Sequence, residues 1–291
     1  MTHARRWEAE AALLGNSLIW GTTFVLVKEA IGNVSPLLFL LLRFGLAAVI
    51  LGAIYGRRFD RASLGPGLFA GVFLFMGYFL QTAGLQFTTP SKSAFFTSLS
   101  IPLVPLLGAL VYRNRPRAVE VTGVAIASAG MLLMTLQGLS LHFGKGDLLS
   151  LGCAVAFAAH IVTVGHYSRR SNFQTIAVMQ IVTAAALCGL TFSWAEPVRA
   201  HWTGGVLVAV AVTGVFATAL AFSVQAWAQQ YTAPTRTALI YTLEPVFAWA
   251  TSRVFLGEKL PWTTAAGAIL IVCGVLLVEL KPPPVVRHPT G

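Results

Sequence analysis

The chain has 291 residues, of which 56% are hydrophobic and only 10% charged, and its formal net charge is +10. Ordinary soluble domains carry about 25% charged residues, which argues against a water-soluble fold. The arginines stand in short clusters between long apolar runs, a topology signal that also argues against a nucleic-acid partner.

A helix rises about 1.5 Å per residue, so about 20 apolar residues cross the hydrocarbon of a bilayer. The first such run is residues 10 to 31, and the charged MTHARRWEAE before it reads as part of a retained span rather than a signal peptide. Runs at 36 to 55 and 65 to 87 follow, separated by YGRRFDR. TTPSK introduces 91 to 112, RNRPR introduces 118 to 136, and LHFGKGD introduces 147 to 168. SRRSN, EPVRAHW, QYTAP and LGEKLP then set off 173 to 195, 203 to 229, 234 to 255 and 261 to 280. Lipid cannot satisfy backbone polar groups, so runs of this length are predicted to be helices. The expected fold is an all-α integral membrane protein with ten transmembrane helices.

Lysine and arginine set the orientation, because cytoplasmic loops carry their excess. With a cytoplasmic N-terminus the inside segments hold Arg5, Arg6, Arg57, Arg58, Arg61, Arg113, Arg115, Arg117, Arg169, Arg170, Arg236, Lys281 and Arg287, thirteen in all. The outside segments hold six, Lys28, Lys92, Lys145, Arg199, Arg253 and Lys259. Both termini are therefore expected in the cytoplasm.

The chain repeats itself. Gln86-Phe87-Thr88-Thr89-Pro90-Ser91-Lys92-Ser93-Ala94 falls on Gln230-Tyr231-Thr232-Ala233-Pro234-Thr235-Arg236-Thr237-Ala238 at a shift of 144. Gly123 falls on Gly267, Gly130 on Gly274 and Gln81 on Gln225. A weaker match at a shift of 137 puts Gly15 on Gly152, Trp20 on Phe157 and Arg43 on Gln180. The unit is five helices, residues 1 to 140 and 141 to 291. An odd number of spans per unit inverts the second copy in the membrane, the usual architecture of alternating-access carriers.

Polar groups are costly in a bilayer and face protein or water. Asn16, Trp20 and Thr23 share one helical stripe, as do Thr237, Tyr241 and Glu244. With Tyr78, Gln81, His160 and Trp227 they form the expected lining of a substrate cavity, in which His160 either binds a proton or substrate or is satisfied by a neighbour. Arg43 stands about eight residues into its span, where it either pairs within the protein or recognises a substrate carboxylate. Glu244 is the one acid inside a run that could couple transport to protons, or it braces the kink at Pro245. Asp147 reads as an N-terminal cap of the sixth helix. Cys153, Cys188 and Cys273 lie in apolar runs without a CxxC pair and read as packing residues. Gly144-Lys145-Gly146 lacks the spacing of a phosphate loop, and there is no HExxH, Cys/His cluster or nucleophile elbow. The expectation is a secondary carrier, not an enzyme, with no cofactor or metal. Its partners are a small-molecule substrate and membrane lipid, and it acts as a monomer or weak dimer.

Leu243-Glu244-Pro245-Val246, Leu256-Gly257-Glu258-Lys259-Leu260 and the glycine-spaced helix from Gly267 to Gly274 resemble the end of EamA-type members of the drug/metabolite transporter superfamily. Trp20-Gly21-Thr22-Thr23-Phe24 and Leu42-Arg43-Phe44 resemble that family's first two helices. The likeness covers essentially the whole chain. The first half departs from the pattern with Ser100-Ile101-Pro102 where the second has Glu244-Pro245, so Glu244 has no partner in the first repeat. The resemblance implies a ten-helix exporter of amino acids, aromatic ones among them, or related metabolites in the bacterial inner membrane. Carriers of nucleotide sugars or lipids share the architecture and are the nearest alternative. A membrane-embedded lipid enzyme would need a pair of catalytic acids or a metal triad.

Overall fold

The computed structural model describes residues 3–85, 87, 93, 96–113, 116–135, 144–256 and 262–280. Among these residues there is no β-strand, only an isolated bridge between Val34 and Ala200. The helices are α1 (His3–Asn33), α2 (Pro36–Tyr55), α3 (Leu64–Leu85), α4 (Ser100–Tyr112), α5 (Ala118–Thr135) and α6 (Lys145–Tyr167). They continue with α7 (Phe173–Ala195), α8 (Gly204–Gly214), α9 (Ala221–Ala228), α10 (Pro234–Tyr241), α11 (Glu244–Leu256) and α12 (Trp262–Glu279). A π-helical segment, Val215–Leu220, joins α8 to α9. Six helical segments are long and apolar enough to span a membrane: Pro36–Arg58, Arg61–Gly84, Lys145–Tyr167, Phe173–Ala195, Gly204–Ala228 and Trp262–Glu279. Phe96–Tyr112 and Ala118–Met134 are apolar but shorter. Leu106, Leu110, Leu190 and Ile269 stand exposed on the outside, as lipid-facing side chains do. The protein is a multi-pass membrane protein.

Local chemistry explains the ends. Pro36 and Pro234 occupy first-turn positions, where the missing N–H costs no helical bond. Pro90, the expected equivalent of Pro234, lies outside the described residues, as do Ser91, Lys92, Asn114, Arg115, Gly257, Glu258, Lys259, Lys281 and Arg287. The Asn172 side chain caps α7 by accepting from Thr175 N at 3.0 Å. Asp147 acts one turn into α6 rather than ahead of it: its carboxylate reaches back to Gly144 N at 2.9 Å. α1 begins seven residues before the expected 10, because Arg6 and Glu10 pair at 2.8 Å one turn apart and carry the helix through the charged N-terminus.

Three expected spans are not single helices. The eighth runs through the π segment, where Ala221 N–H reaches back five residues to Phe216 O. The ninth breaks between Tyr241 and Glu244, because Pro245 has no N–H to offer the Tyr241 carbonyl. The fourth has a matching break just ahead of α4: Leu99 is a turn, and Pro102 withholds an N–H from Ser98.

Arginines gather at one end of the bundle. Asp60 N donates to Thr175 Oγ1 at 2.9 Å and Asn172 N to Ser63 Oγ at 2.8 Å, which ties the loop holding Arg57, Arg58 and Arg61 to the loop holding Arg169 and Arg170. Arg169 in turn donates to Gln229 O at 3.2 Å and Thr232 O at 2.7 Å, next to Arg236. Arg236 was expected only as one of the inside cations at the start of the ninth span. It is instead buried, 3.4 Å from Glu10, 3.5 Å from Glu120 and 3.1 Å from Glu279, because a buried guanidinium must be neutralised by several partners. At the opposite end Ser35 N donates to Arg199 O at 2.8 Å. Glu196 accepts Leu37 N there at 2.5 Å, and burial pushes its carboxyl above the ordinary range while this bond opposes the shift. Cys153 and Cys188 are buried, whereas Cys273 is exposed on α12 and packs against nothing central.

α5 and α12 meet backbone to backbone. A Cβ at Gly123 would lie 2.8 Å from Gly274 O, and one at Gly274 2.7 Å from Gly123 O. A Cβ at Gly130 would lie 2.6 Å from Gly267 O, and one at Gly267 2.5 Å from Gly130 O. Contacts of 123 with 274 and of 130 with 267 require antiparallel helices.

Candidate functional site

The two helix breaks, ahead of Ser100 and of Glu244, converge on one cavity of about 420 Å³. Trp20, Thr23, Arg43, Tyr78, Gln81, His160, Tyr241 and Glu244 all line it. These residues come from helices far apart in sequence, so the lining is a product of packing.

Arg43 on α2 is held through the forked donors of its own guanidinium. Its Nε donates to Thr218 Oγ1 at 2.6 Å, and its Nη2 donates to Ala217 O at 3.2 Å and Tyr78 Oη at 3.3 Å. The guanidinium also lies 5.2 Å from the Tyr78 ring centroid. Ala217 O belongs to the π segment and accepts a second bond, from Trp20 Nε1 at 2.8 Å. A π turn re-aims carbonyls that an α-helix would use internally, and such turns recur at functional sites. Arg43 is therefore satisfied by carbonyl, hydroxyl and ring rather than by a carboxylate, yet it still borders the cavity.

Aromatic rings form the walls. Trp20 meets Tyr241 edge-on at 4.8 Å and Phe222 at 5.6 Å, and Phe157 meets Tyr78 at 5.3 Å. Gly77 is required beside Phe157, since a Cβ there would fall 2.5 Å from the ring. Gly21 lets α1 approach α11, since a Cβ there would lie 2.7 Å from Glu244 O. Glu244 itself opens α11, and no described residue donates a hydrogen bond to its carboxylate. Arg43 and Glu244 thus place a basic and an acidic group on one cavity.

His160 is buried and shares a 2.8 Å hydrogen bond with Gln180, so a neighbour satisfies one ring nitrogen. Asn16 does not line the cavity. It is buried one turn away, where its Nδ2 donates to Ala221 O at 2.8 Å and Tyr241 Oη at 3.4 Å. Trp227 is also elsewhere, 5.6 Å from the Tyr231 ring and packed with Ala9, Leu13 and Ile240 near the start of α1. Phe222 and Gln225 take the places expected of Trp227. Applying the 144-residue shift to Tyr78 and Gln81 lands on these two, the signal that could have found them. Among the described residues no group of three His, Cys, Asp or Glu is placed to hold a metal.

A family model described as the EamA-like transporter family matches residues 7–136 and again 144–280. An uncharacterized transporter of Archaeoglobus fulgidus is 35% identical over 278 residues, covering 95% of this chain and 87% of its own. A probable amino-acid metabolite efflux pump of Salmonella typhimurium is 27% identical, covering 89% of this chain and 91% of its own. One crystal structure superposes with a TM-score of 0.79 at 22% identity over 94% of this chain and 96% of that one, a likeness of fold.

Proposed function

The chain belongs to the EamA-like transporter family, and from that premise we propose that it exports amino acids or related small metabolites by alternating access. The observation that carries this is the cavity: Arg43 and Glu244 supply opposite charges, and Trp20, Tyr78, Phe157, Phe222 and Tyr241 supply flat apolar walls. A carboxylate would meet Arg43 and an ammonium group Glu244, with an aromatic or aliphatic side chain against the rings. A volume of about 420 Å³ falls in the range of small-molecule sites. One guanidinium against one carboxylate suits a zwitterion better than a multiply charged nucleotide sugar. The name of the Salmonella relative points the same way.

The transport cycle follows from two inverted five-helix repeats making ten spans. Gly123 and Gly130 correspond to Gly267 and Gly274, and their contacts exchange under that correspondence, 123 with 274 becoming 267 with 130. A two-fold axis in the membrane plane has this property, and the two family matches fall one in each half. The arginine-rich end is then the cytoplasmic end of a bacterial inner-membrane protein, with both termini inside. Glu244, at a broken helix in the middle of the bundle, is the proton-coupling residue of the cycle.

Counterflow in proteoliposomes with a mixed amino-acid pool tests the substrate class, and uptake of none of them refutes it. Glu244→Gln keeps shape and removes charge. It should abolish dependence of transport on a pH gradient and weaken, without abolishing, binding of the substrate ammonium, and unchanged pH dependence would reassign Glu244 to bracing Pro245.

A further inference from the structure

A second cleft, of about 320 Å³, opens at the arginine-rich end. Val104, Gly108 and Arg113 line it from α4, Val162 and Arg169 from the end of α6, and Pro234 and Thr235 from the start of α10. The same three helices line the central cavity with Ile101, Ile161 and Ala238. Ile101 to Val104 and Thr235 to Ala238 are steps of three residues, a rise of about 4.5 Å. One turn of buried apolar side chains is all that divides the two spaces, and Ile101, Val104, Ile161, Val162 and Ala238 belong to one packed cluster.

The cleft also has a counterpart. Spans four and six of the repeat correspond to spans nine and one, and those helices border the far part of the central cavity through Ala248, Thr23 and Val27. Two related helix pairs thus enclose two spaces at opposite ends, one joined to the cavity and one cut off from it. The closed end is further locked: Glu120, which lines the cleft, is bound to Arg236 and through it to Glu10 on α1 and Glu279 on α12.

The cleft is basic where a solute would enter. Arg113 is the C-cap of α4 and the one described non-glycine residue with positive φ, 55°. A side-chain-bearing residue in that region costs about 1 kcal/mol, so the conformation is held by its surroundings. Arg113 is exposed and has no ion-pair partner among the described residues. Arg169 is fixed beside it by the carbonyls of Gln229 and Thr232.

We propose that this cleft is the cytoplasmic vestibule of the transport route, where Arg113 and Arg169 receive a carboxylate-bearing solute, and that the apolar turn behind it is the gate. The proposal rests on the carrier reading above, and its test is separable from it. A Cβ at Gly108 would meet nothing within 4 Å, so Gly108→Cys fits without strain. In a Cys273→Ala background, which supplies the blank, inverted and right-side-out vesicles are treated with anionic sulfonatoethyl or cationic trimethylammonioethyl methanethiosulfonate. Labelling is expected from the cytoplasmic face, faster with the anionic reagent. A unit charge about 8 Å away in water changes each rate about two- to three-fold, in opposite senses. Arg113→Gln should therefore shrink the anionic-to-cationic ratio about five-fold at low salt, and the label should block counterflow. Labelling only from the opposite face, an unchanged ratio, or unimpaired counterflow after complete labelling each overturns the vestibule. The expected labelling in a protein without counterflow of any amino acid would instead overturn the carrier reading. Pro116→Cys, at the half-exposed rim of the same cleft, gives the same sidedness and charge-preference readouts should Gly108→Cys express poorly.

Discussion

Gly267→Ala isolates the closest contact in the bundle. The added Cβ would lie 2.5 Å from Gly130 O, 2.6 Å from Met134 Cγ and 2.9 Å from Met134 N. Carbon contacts are comfortable near about 3.5 Å, and two of these three atoms are backbone, so α5 and α12 must part by about 1 Å. Overpacking of this kind costs about 1–3 kcal/mol. Alanine also gains about 1 kcal/mol over glycine in helix propensity, so the comparison must be with a glycine that gains without clashing. Gly52 on α2 is such a site, with nothing within 4 Å. Gly52→Ala should raise the melting temperature, and Gly267→Ala should fall below it by the strain alone. At about 2–4 °C per kcal/mol the two should differ by about 2–12 °C. Thermal unfolding in detergent, read by tryptophan fluorescence and by size-exclusion recovery, measures it. Equal melting temperatures would refute the claim that the helices touch at these glycines.

Arg43→Lys keeps the charge but loses the fork to Thr218, Ala217 and Tyr78, so counterflow should fall about ten-fold or more, with a smaller loss in Thr218→Val; wild-type rates in the lysine variant would refute the fork. Arg236→Gln leaves Glu10, Glu120 and Glu279 without their shared cation and should cost about 3–5 kcal/mol, against less than about 0.5 for exposed Glu8→Gln, both read as melting temperatures. The Glu196 carboxyl is raised by burial, so its contribution to stability is fully present below the unfolded value and lost as pH rises through the folded one. Wild type should therefore lose stability relative to Glu196→Gln as pH rises from the acid side of the carboxylate range toward neutrality, and parallel pH–melting curves would contradict that sign.

Spans bounded by turn residues and filled with unbroken apolar runs were legible almost to the residue. α2 occupies the expected 36 to 55 and α7 the expected 173 to 195, because Pro36 and Asn172 fix their starts by chemistry that needs no tertiary partner. The break in the ninth span was less visible, although Pro245 marks it. Its position depends on which carbonyl the bundle can leave unbonded, here one beside a polar cavity. The π segment had no periodic signature at all in VFATAL, which reads as continuous apolar helix.

That segment also explains why the site was only partly legible. A stripe argument assumes about 100° per residue along an uninterrupted helix. The wide turn at Val215–Leu220 changes the phase of everything after it, so α9 turns a different face inward from the one an unbroken helix would give, and Phe222 and Gln225 line the cavity while Trp227 does not. Repeat equivalence is immune to this error, because it transfers a residue's place rather than its angle, and it leads from Tyr78 and Gln81 to Phe222 and Gln225. It could not have led to Thr218 or to the Arg236 cluster. Thr218 matters only because Arg43, 175 residues away, needs an acceptor, and Glu10 meets Arg236 across 226 residues. A buried guanidinium announces from sequence that partners must exist, but only packing decides which ones. The two buried arginines then divide the work by surroundings. Arg236 is neutralised by three carboxylates and ties α1, α5, α10 and α12 together, while Arg43 is held by neutral groups and borders the cavity.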